Sequence, residues 1–351
     1  MRRWLLAVSS VLLPVIWVAT PAVFAGQGDS ERDKVRVGEL PLLPSIGTFI
    51  AMEKGYFGEQ GLDIELVMFK IGTQMVPLLA SGQLDVGGTG VNAGLYNAIS
   101  RDGRMRMVAD KGHHPYQDSA KPIHAVVISK KLYPGQLTAE NLRGQVFSVS
   151  GRGNAQEIYL ELFLKEHGSS LEEVQVQTMP LPGMLAALSS GAVFGASLLE
   201  PFLTLAQSKD LGVPVLANKE LYPGQQGGAL IYSSAFIAAR PEAGVKFMVG
   251  YLKGVRDYLD FLDGKLDFDE VFDVVKKHTS MDDRGLFMRI GKPSLHPDGV
   301  LNLEGMERDV RWLHQHGYID ATPDMAELVD ERFVRKALEV LGRAGQRGPA
   351  R

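Results

Sequence analysis

The chain of 351 residues contains no cysteine. That single absence excludes disulfides, thiolate metal ligands, a thiol nucleophile and a lipidated cysteine anchor. An excess of positive charge is missing too: Lys and Arg number 37 against 41 Asp and Glu, the pI is near 6.1, and the basic residues are scattered. Without a basic stripe, nucleic acid is not expected as a partner. The sequence also lacks a Gly-x-Ser-x-Gly elbow, a His-Glu-x-x-His pair and a phosphate-binding loop, so no catalytic residue, metal or cofactor is expected.

Long apolar runs are confined to the start of the chain. Arg2 and Arg3 precede an apolar stretch over residues 4–19, and Val23-Phe24-Ala25 has the small-x-small form of a cleavage site. This reads as a signal peptide over residues 1–25, cleaved after Ala25. A membrane anchor is the weaker reading, because Pro14 interrupts the run and polar sequence follows. Export without lipidation places the expected mature protein in a periplasm. The remaining composition, within a chain that is 45% hydrophobic and 22% charged, suits a globular protein long enough for two cores.

Apolar periodicity then gives an order of elements. Strands are expected at residues 35–40, 64–69, 86–88 and 105–109, with helices striped by Ile46, Phe49, Ile50 and Glu53, and by Met75, Val76, Leu79 and Ala80. A second group has strands at 125–128, 146–149, 174–178, 196–199 and 213–216, with helices at 154–167 and 182–190. Each group carries a helix stopped by Ser-Gly, at Ser81-Gly82 and Ser190-Gly191, followed by a short apolar strand. A strand over 229–238 is expected to return to the first group, followed by helices at 242–262, 268–278, 303–316 and 330–341, with Gly317 closing the third and a frayed tail over 342–351. The fold class is α/β: two lobes, each a mixed, mostly parallel sheet flanked by helices, divided as 33–120, 121–222 and 223–345.

Parallel sheets bind small molecules beyond the carboxyl ends of their strands. Three loops there carry the candidate ligand-binding residues. The first supplies Leu43, Pro44 and Ser45, with Ser45 expected to cap the next helix and Leu42 and Leu43 to accept apolar bulk. The second, Gly87 to Gly94, supplies Thr89, Gly90 and Asn92; its glycines miss the spacing of a dinucleotide fingerprint. The third supplies Arg152, Gly153, Asn154 and Gln156, with Asn154 a helix cap. Two helix N-termini converging on one volume favour an anion. Arg152 either clamps that anion or points to solvent, and Glu200 either faces the cleft or caps the following helix.

Other features have plainer readings. Lys54-Gly-Tyr-Phe57 reads as a helix end with Gly55 as its cap and the aromatic rings packed beneath, and Lys253 with Arg256 as a solvated face. His113, His114, Tyr116 and His124 lack a carboxylate at metal-site spacing and suggest rings stacking on a planar ligand. His314 and His316 face different sides of a helix and form no site.

Lys54-Gly-Tyr-Phe57, Gly61-Leu-Asp-Ile-Glu65, Gly82-Gln-Leu-Asp-Val86 and Leu199-Glu-Pro-Phe202, in that order, resemble the periplasmic substrate-binding proteins of ABC importers, in the nitrate, sulfonate and taurine group that includes binders of thiamine-pyrimidine precursors. The resemblance spans residues 35–228, and Asp298-Gly-Val-Leu-Asn302 with Gly317-Tyr-Ile319 extends it. It implies a type II periplasmic-binding-protein fold that captures a small, anionic organic solute (sulfonate, aromatic carboxylate or pyrimidine class) as a monomer, and a membrane permease as partner. Hinges are expected at residues 113–124 and 214–228. The rival readings are a cofactor-precursor enzyme on this fold, disfavoured by export and by the lack of that branch's cysteine-rich signature, and a sensing module for a receptor.

Overall fold

The computed structural model describes residues 32–114, 121–215, 222 and 224–345. The expected signal segment, Tyr116, and parts of both expected hinges and of the tail lie outside the described residues. The strands are β1 (Asp33–Glu39), β2 (Leu62–Met68), β3 (Val86–Gly90), β4 (Met105–Asp110), β5 (His124–Ser129), β6 (Val146–Val149), β7 (Gln175–Thr178), β8 (Gly195–Leu199), β9 (Gly212–Val215) and β10 (Gly228–Ser233). They form two sheets, ordered β2-β1-β3-β10-β4 and β7-β6-β8-β5-β9.

The two sheets have the same plan. In each, one strand (β1 or β6) pairs in parallel with two neighbours, and another (β10 or β5) pairs antiparallel with one of those neighbours and with the last strand. The parallel connections require crossover helices. Those of the first lobe are α1 (Ile46–Glu53), α2 (Tyr56–Glu59), α3 (Met75–Ala80) and α4 (Ala93–Asp102). The second lobe has α5 (Ala139–Leu142), α6 (Ala155–Glu166), α7 (Leu181–Ser190) and α8 (Phe202–Ser208). Both α3 and α7 run into Ser-Gly with the glycine left-handed, φ +73° at Gly82 and +78° at Gly191, a conformation that costs a side-chain-bearing residue energy.

After β10 the chain is helical: α9 (Ser234–Ala239), α10 (Pro241–Leu262), α11 (Phe268–His278), α12 (Arg284–Arg289), α13 (Leu303–Gln315), α14 (Met325–Leu328) and α15 (Arg332–Leu341). These pack on the first lobe. One of its cores joins α1 and β1 to α10, α11 and α15, and another joins α3 and α4 to α13 and α14. The second lobe has cores on either face of its own sheet, around Phe147 and Phe163 and around Met184 and Leu198. The buried residues of each cluster belong to one lobe, and half-buried Leu205 of α8 reaches across to pack on the first-lobe core.

Several local expectations need correction. The strand expected over 229–238 stops at Ser233, because the Ser233 hydroxyl accepts from Phe236 N at 3.1 Å and starts α9. Gly55 is left-handed as expected (φ +72°), yet Lys54 is the cap residue of α1 and Tyr56 opens α2 at once. Phe57 is buried and stacks on Phe247 at 4.7 Å, whereas Tyr56 is half-buried and donates to Asp257 at 2.6 Å. Arg256 is no solvated residue: it is 4% exposed, paired with Asp298 at 2.8 Å, and donates to the carbonyls of Pro297 and Gly342. Lys253 lies over the Tyr56 ring and pairs with Glu59.

Candidate functional site

In the first lobe, β1 and β4 bring Glu39 and the adjacent Lys111 together. The Lys111 ammonium lies 2.9 Å from Glu39 Oε2, with Glu39 wholly buried and Lys111 3% exposed. Ser45 Oγ and Thr48 Oγ1 donate to the same carboxylate at 2.9 and 2.7 Å, and Lys111 donates to Ser45 Oγ at 2.7 Å. Burial pulls the Lys111 pKa below its ordinary value while Glu39 opposes that shift. The surroundings demand a glycine at position 88, where a Cβ would stand 2.0 Å from Lys111 Cε and 2.4 Å from Glu39 Oε2. Ser45 therefore serves this pair. It makes no side-chain cap to α1, contrary to the expectation from its position.

Asp110, one residue earlier, ties the crossing segments. Its Oδ1 accepts from Gln226 Nε2 at 2.6 Å and Gly112 N at 3.2 Å, with His113 Nδ1 at 3.3 Å, and its Oδ2 accepts from His296 N at 2.7 Å. Backbone bridges join His113 to Gln226 and to Ser294. The described ends of the two passages thus lie side by side at the first lobe, braced by a third segment from the C-terminal region. Burial lowers the His296 pKa, partly offset by Asp110.

On the facing surface of the second lobe, Gln156 is fully engaged. Its Nε2 donates to Ser197 O at 2.5 Å, and its Oε1 accepts from Ser150 N at 3.1 Å and from the Ser150 hydroxyl. His124 Nε2 meets Ser197 Oγ at 2.7 Å, and the His124 ring packs on Tyr159 at 4.4 Å with His114 edge-on to both. Burial pushes His114 down to about 4 and His124 well below its usual value, so both rings are neutral near pH 7. The expected histidine-rich region thus forms an internal cluster of rings. Glu200 accepts from Thr204 N at 3.0 Å, Thr204 Oγ1 at 2.7 Å and Gly291 N at 3.0 Å, the capping alternative together with a link to the segment after α12.

The two glycine loops meet. Asn92 caps α4 through Leu95 N at 3.1 Å, and Asn154 caps α6 through Glu157 N at 3.2 Å. The caps face each other through a backbone bridge, and Ala93 N donates to Gly153 O at 3.0 Å. Gly90 lies just before this junction, while the Thr89 hydroxyl is buried toward Gly72, where a Cβ would come within 1.8 Å of it. Arg152 has a half-exposed side chain; its Nε lies 2.8 Å from Glu157 Oε1 and donates to Tyr318 Oη at 2.9 Å. Of the first loop, Leu43 is half-buried and Pro44 exposed, with Pro44 beside Gly112.

The geometry brings Gly90, Asn92, Arg152, Gly153 and Asn154 to one junction and Ser45 to the Glu39–Lys111 pair. It commits Gln156 and Glu200 to internal hydrogen bonds. Sequence reasoning missed Glu39, Asp110 and Lys111, though a signal was there: Glu39 and Asp110 are the last residues of two strands, at the carboxyl ends of β1 and β4. Tyr318, singled out in the sequence only as part of the resemblance, reaches the junction from the C-terminal region.

A family model described as "NMT1-like family" matches residues 28–257. Among curated relatives, the bicarbonate transport ATP-binding protein CmpC of Synechocystis sp. is 24% identical over 245 residues, 64% of this chain. The chain spans only 35% of the length of that relative. A Bacillus subtilis protein named for binding aliphatic sulfonates is 24% identical over 338 residues, covering 94% of this chain and 96% of its own. Among solved structures, the periplasmic aliphatic sulphonate binding protein SsuA from Escherichia coli superposes with a TM-score of 0.67 at 15% identity, covering 85% of this chain and 92% of that one. These likenesses establish the two-lobed α/β architecture of periplasmic binding proteins, and the extent of the family match establishes that the chain belongs to the NMT1-like family.

Proposed function

We propose that this protein is the periplasmic solute-binding component of an ABC importer, a monomer that closes over a small organic solute and delivers it to a membrane permease. The observation that carries the reading is the pair of like-ordered sheets, with the described ends of the connecting passages bridged at His113 and Gln226 and the N-termini of α4 and α6 turned toward each other. Capture then needs no chemistry: solute stabilises the closed form by its differential affinity for that form. The names of the Bacillus subtilis and Escherichia coli proteins lend sulfonates to the candidate solutes.

Within the sulfonate, aromatic carboxylate and pyrimidine classes, the charge arrangement favours pyrimidines. Lys111 is paired with Glu39 and Arg152 with Glu157, so an anion has to compete with a carboxylate already in place. Ligand-binding roles are proposed for Leu43, Pro44, Ser45, Thr89, Gly90, Asn92, Gly153 and Asn154; Arg152, held by Glu157, shapes with Gln156 and Glu200 the walls that present them. A thermal-shift screen of alkanesulfonates, benzoates and aminopyrimidines tests this, since a ligand at a hundred times its Kd adds about 2.7 kcal/mol to stability. Stabilisation by a pyrimidine, little changed in Arg152→Ala, is the expected result. Tight sulfonate binding abolished by Arg152→Ala would reverse the assignment of class, and the absence of any binder among solutes of importers would remove the transport reading.

A further inference from the structure

The lobes are joined by more than their hinge. Helix α6 of the second lobe presents Glu157 and Glu161, one turn apart and therefore on one face, to the C-terminal end of α13 in the first lobe. Trp312 Nε1 donates to Glu161 Oε2. Tyr318 Oη donates to Glu157 Oε1 at 2.9 Å, while Asn97 of α4 donates to Tyr318 O at 2.9 Å and holds it in place. The Trp312 ring stacks on His316 at 4.0 Å and on Tyr318 at 5.8 Å, so the three rings form one rigid block. His316 Nδ1 meets Trp312 O at 2.8 Å, and its Nε2 comes within 3.5 Å of Glu161 Oε1.

Both carboxylates are buried and organised from their own side. Glu157 accepts from Gly153 N at 2.7 Å and pairs with Arg152; Glu161 pairs with Lys165 at 2.8 Å. They are fixed acceptors, and the first lobe supplies neutral donors to them. Hydrogen bonds to a charged acceptor are among the stronger ones in proteins. The buried cores of the two lobes are separate, and these side-chain contacts add to the backbone contact of the two glycine loops and to the Glu200–Gly291 bond in holding the lobes together.

We propose that Trp312, His316 and Tyr318 of the first lobe and Glu157 and Glu161 of the second form a solute-independent clasp that sets the balance between open and closed forms. The clasp holds the lobes together before solute arrives. It goes beyond the transport reading, because it requires only that the lobes move.

The test is made on solute-free protein. Because the chain has no cysteine, S100C and S190C, both exposed and one on each lobe, accept a fluorophore pair that reports interlobe distance by energy transfer. Tyr318→Phe deletes one oxygen and Glu161→Gln one charge, so both variants keep the packing. Each is expected to shift the population roughly tenfold toward the open form, the equivalent of one charge-assisted hydrogen bond, with a larger radius of gyration in solution scattering. His314→Ala, on the exposed side of the same helix, leaves both readings unchanged. Should Glu161→Gln lower the melting temperature sharply, Tyr318→Phe alone decides. Energy transfer and radius identical to the parent in Tyr318→Phe overturn the clasp, whatever solute the protein binds.

Discussion

Replacing Lys111 by methionine tests the buried Glu39–Lys111 pair of the first lobe. Methionine keeps most of the volume and removes the ammonium, leaving the Glu39 carboxylate wholly buried with only the hydroxyls of Ser45 and Thr48 to accept from. Breaking a buried pair by removing one partner costs about 3–5 kcal/mol, because the remaining charge is left uncompensated. The two neutral hydrogen bonds and protonation of Glu39 soften this, so the expectation is about 3 kcal/mol. Removing the second charge as well, in Glu39→Gln with Lys111→Met, is expected to recover most of the loss, since a neutral pair carries no such penalty. Urea unfolding followed by circular dichroism and by tryptophan emission measures both variants, with Trp312 on α13 reporting the lobe that holds the pair. Two probes are needed because two lobes need not unfold as one. A single variant within about 1 kcal/mol of the parent, or a double variant no more stable than the single, would refute the reasoning.

Gly88→Ala places a Cβ against Lys111 Cε and Glu39 Oε2; a loss of about 1–3 kcal/mol is expected from overpacking, and a melting temperature equal to the parent's would show that the pair moves aside freely. His114 titrates at about 4 in the folded chain against about 6.5 unfolded. The unfolded state therefore binds more protons between those values, so stability is full above pH 6.5 and declines as pH falls toward 4. The loss is at most about 3 kcal/mol, less because the ring keeps some solvent contact. His124 acts in the same direction. Melting curves at pH 7 and pH 5 check this, with His114→Gln expected to flatten the difference; equal melting temperatures in the parent would contradict it.

The sequence revealed the strands to within two residues at most ends because short apolar runs bounded by turns leave few alternatives. It failed at residues 234–238, where Ala, Phe and Ile continue the apolar run and only the Ser233 cap marks the change to helix. It failed at Arg256 because α10 is packed by α1, α2, α11 and α15, and local charge says nothing of such neighbours. The converging glycine loops were legible, since a strand, glycines and an Asn cap are local signals. Their mutual contact was not: Tyr318 meets Glu157 across 161 residues, and no periodicity encodes a meeting at that distance. Ser45 shows the same competition, its capping position overridden by a carboxylate six residues earlier.

The place of β10 bears on the order of assembly. It fills the gap between β3 and β4, yet it follows every strand of the second sheet in the chain. During synthesis, residues 124–215 hold all they need for a finished sheet, while the earlier half waits with two unpaired edges until residues 228–233 emerge. Such long-range closure is slow, and exposed edges invite pairing with other chains. A nascent polypeptide of this plan therefore stays incomplete at its leading end, a state that calls for chaperone cover until residues 228–233 close the sheet.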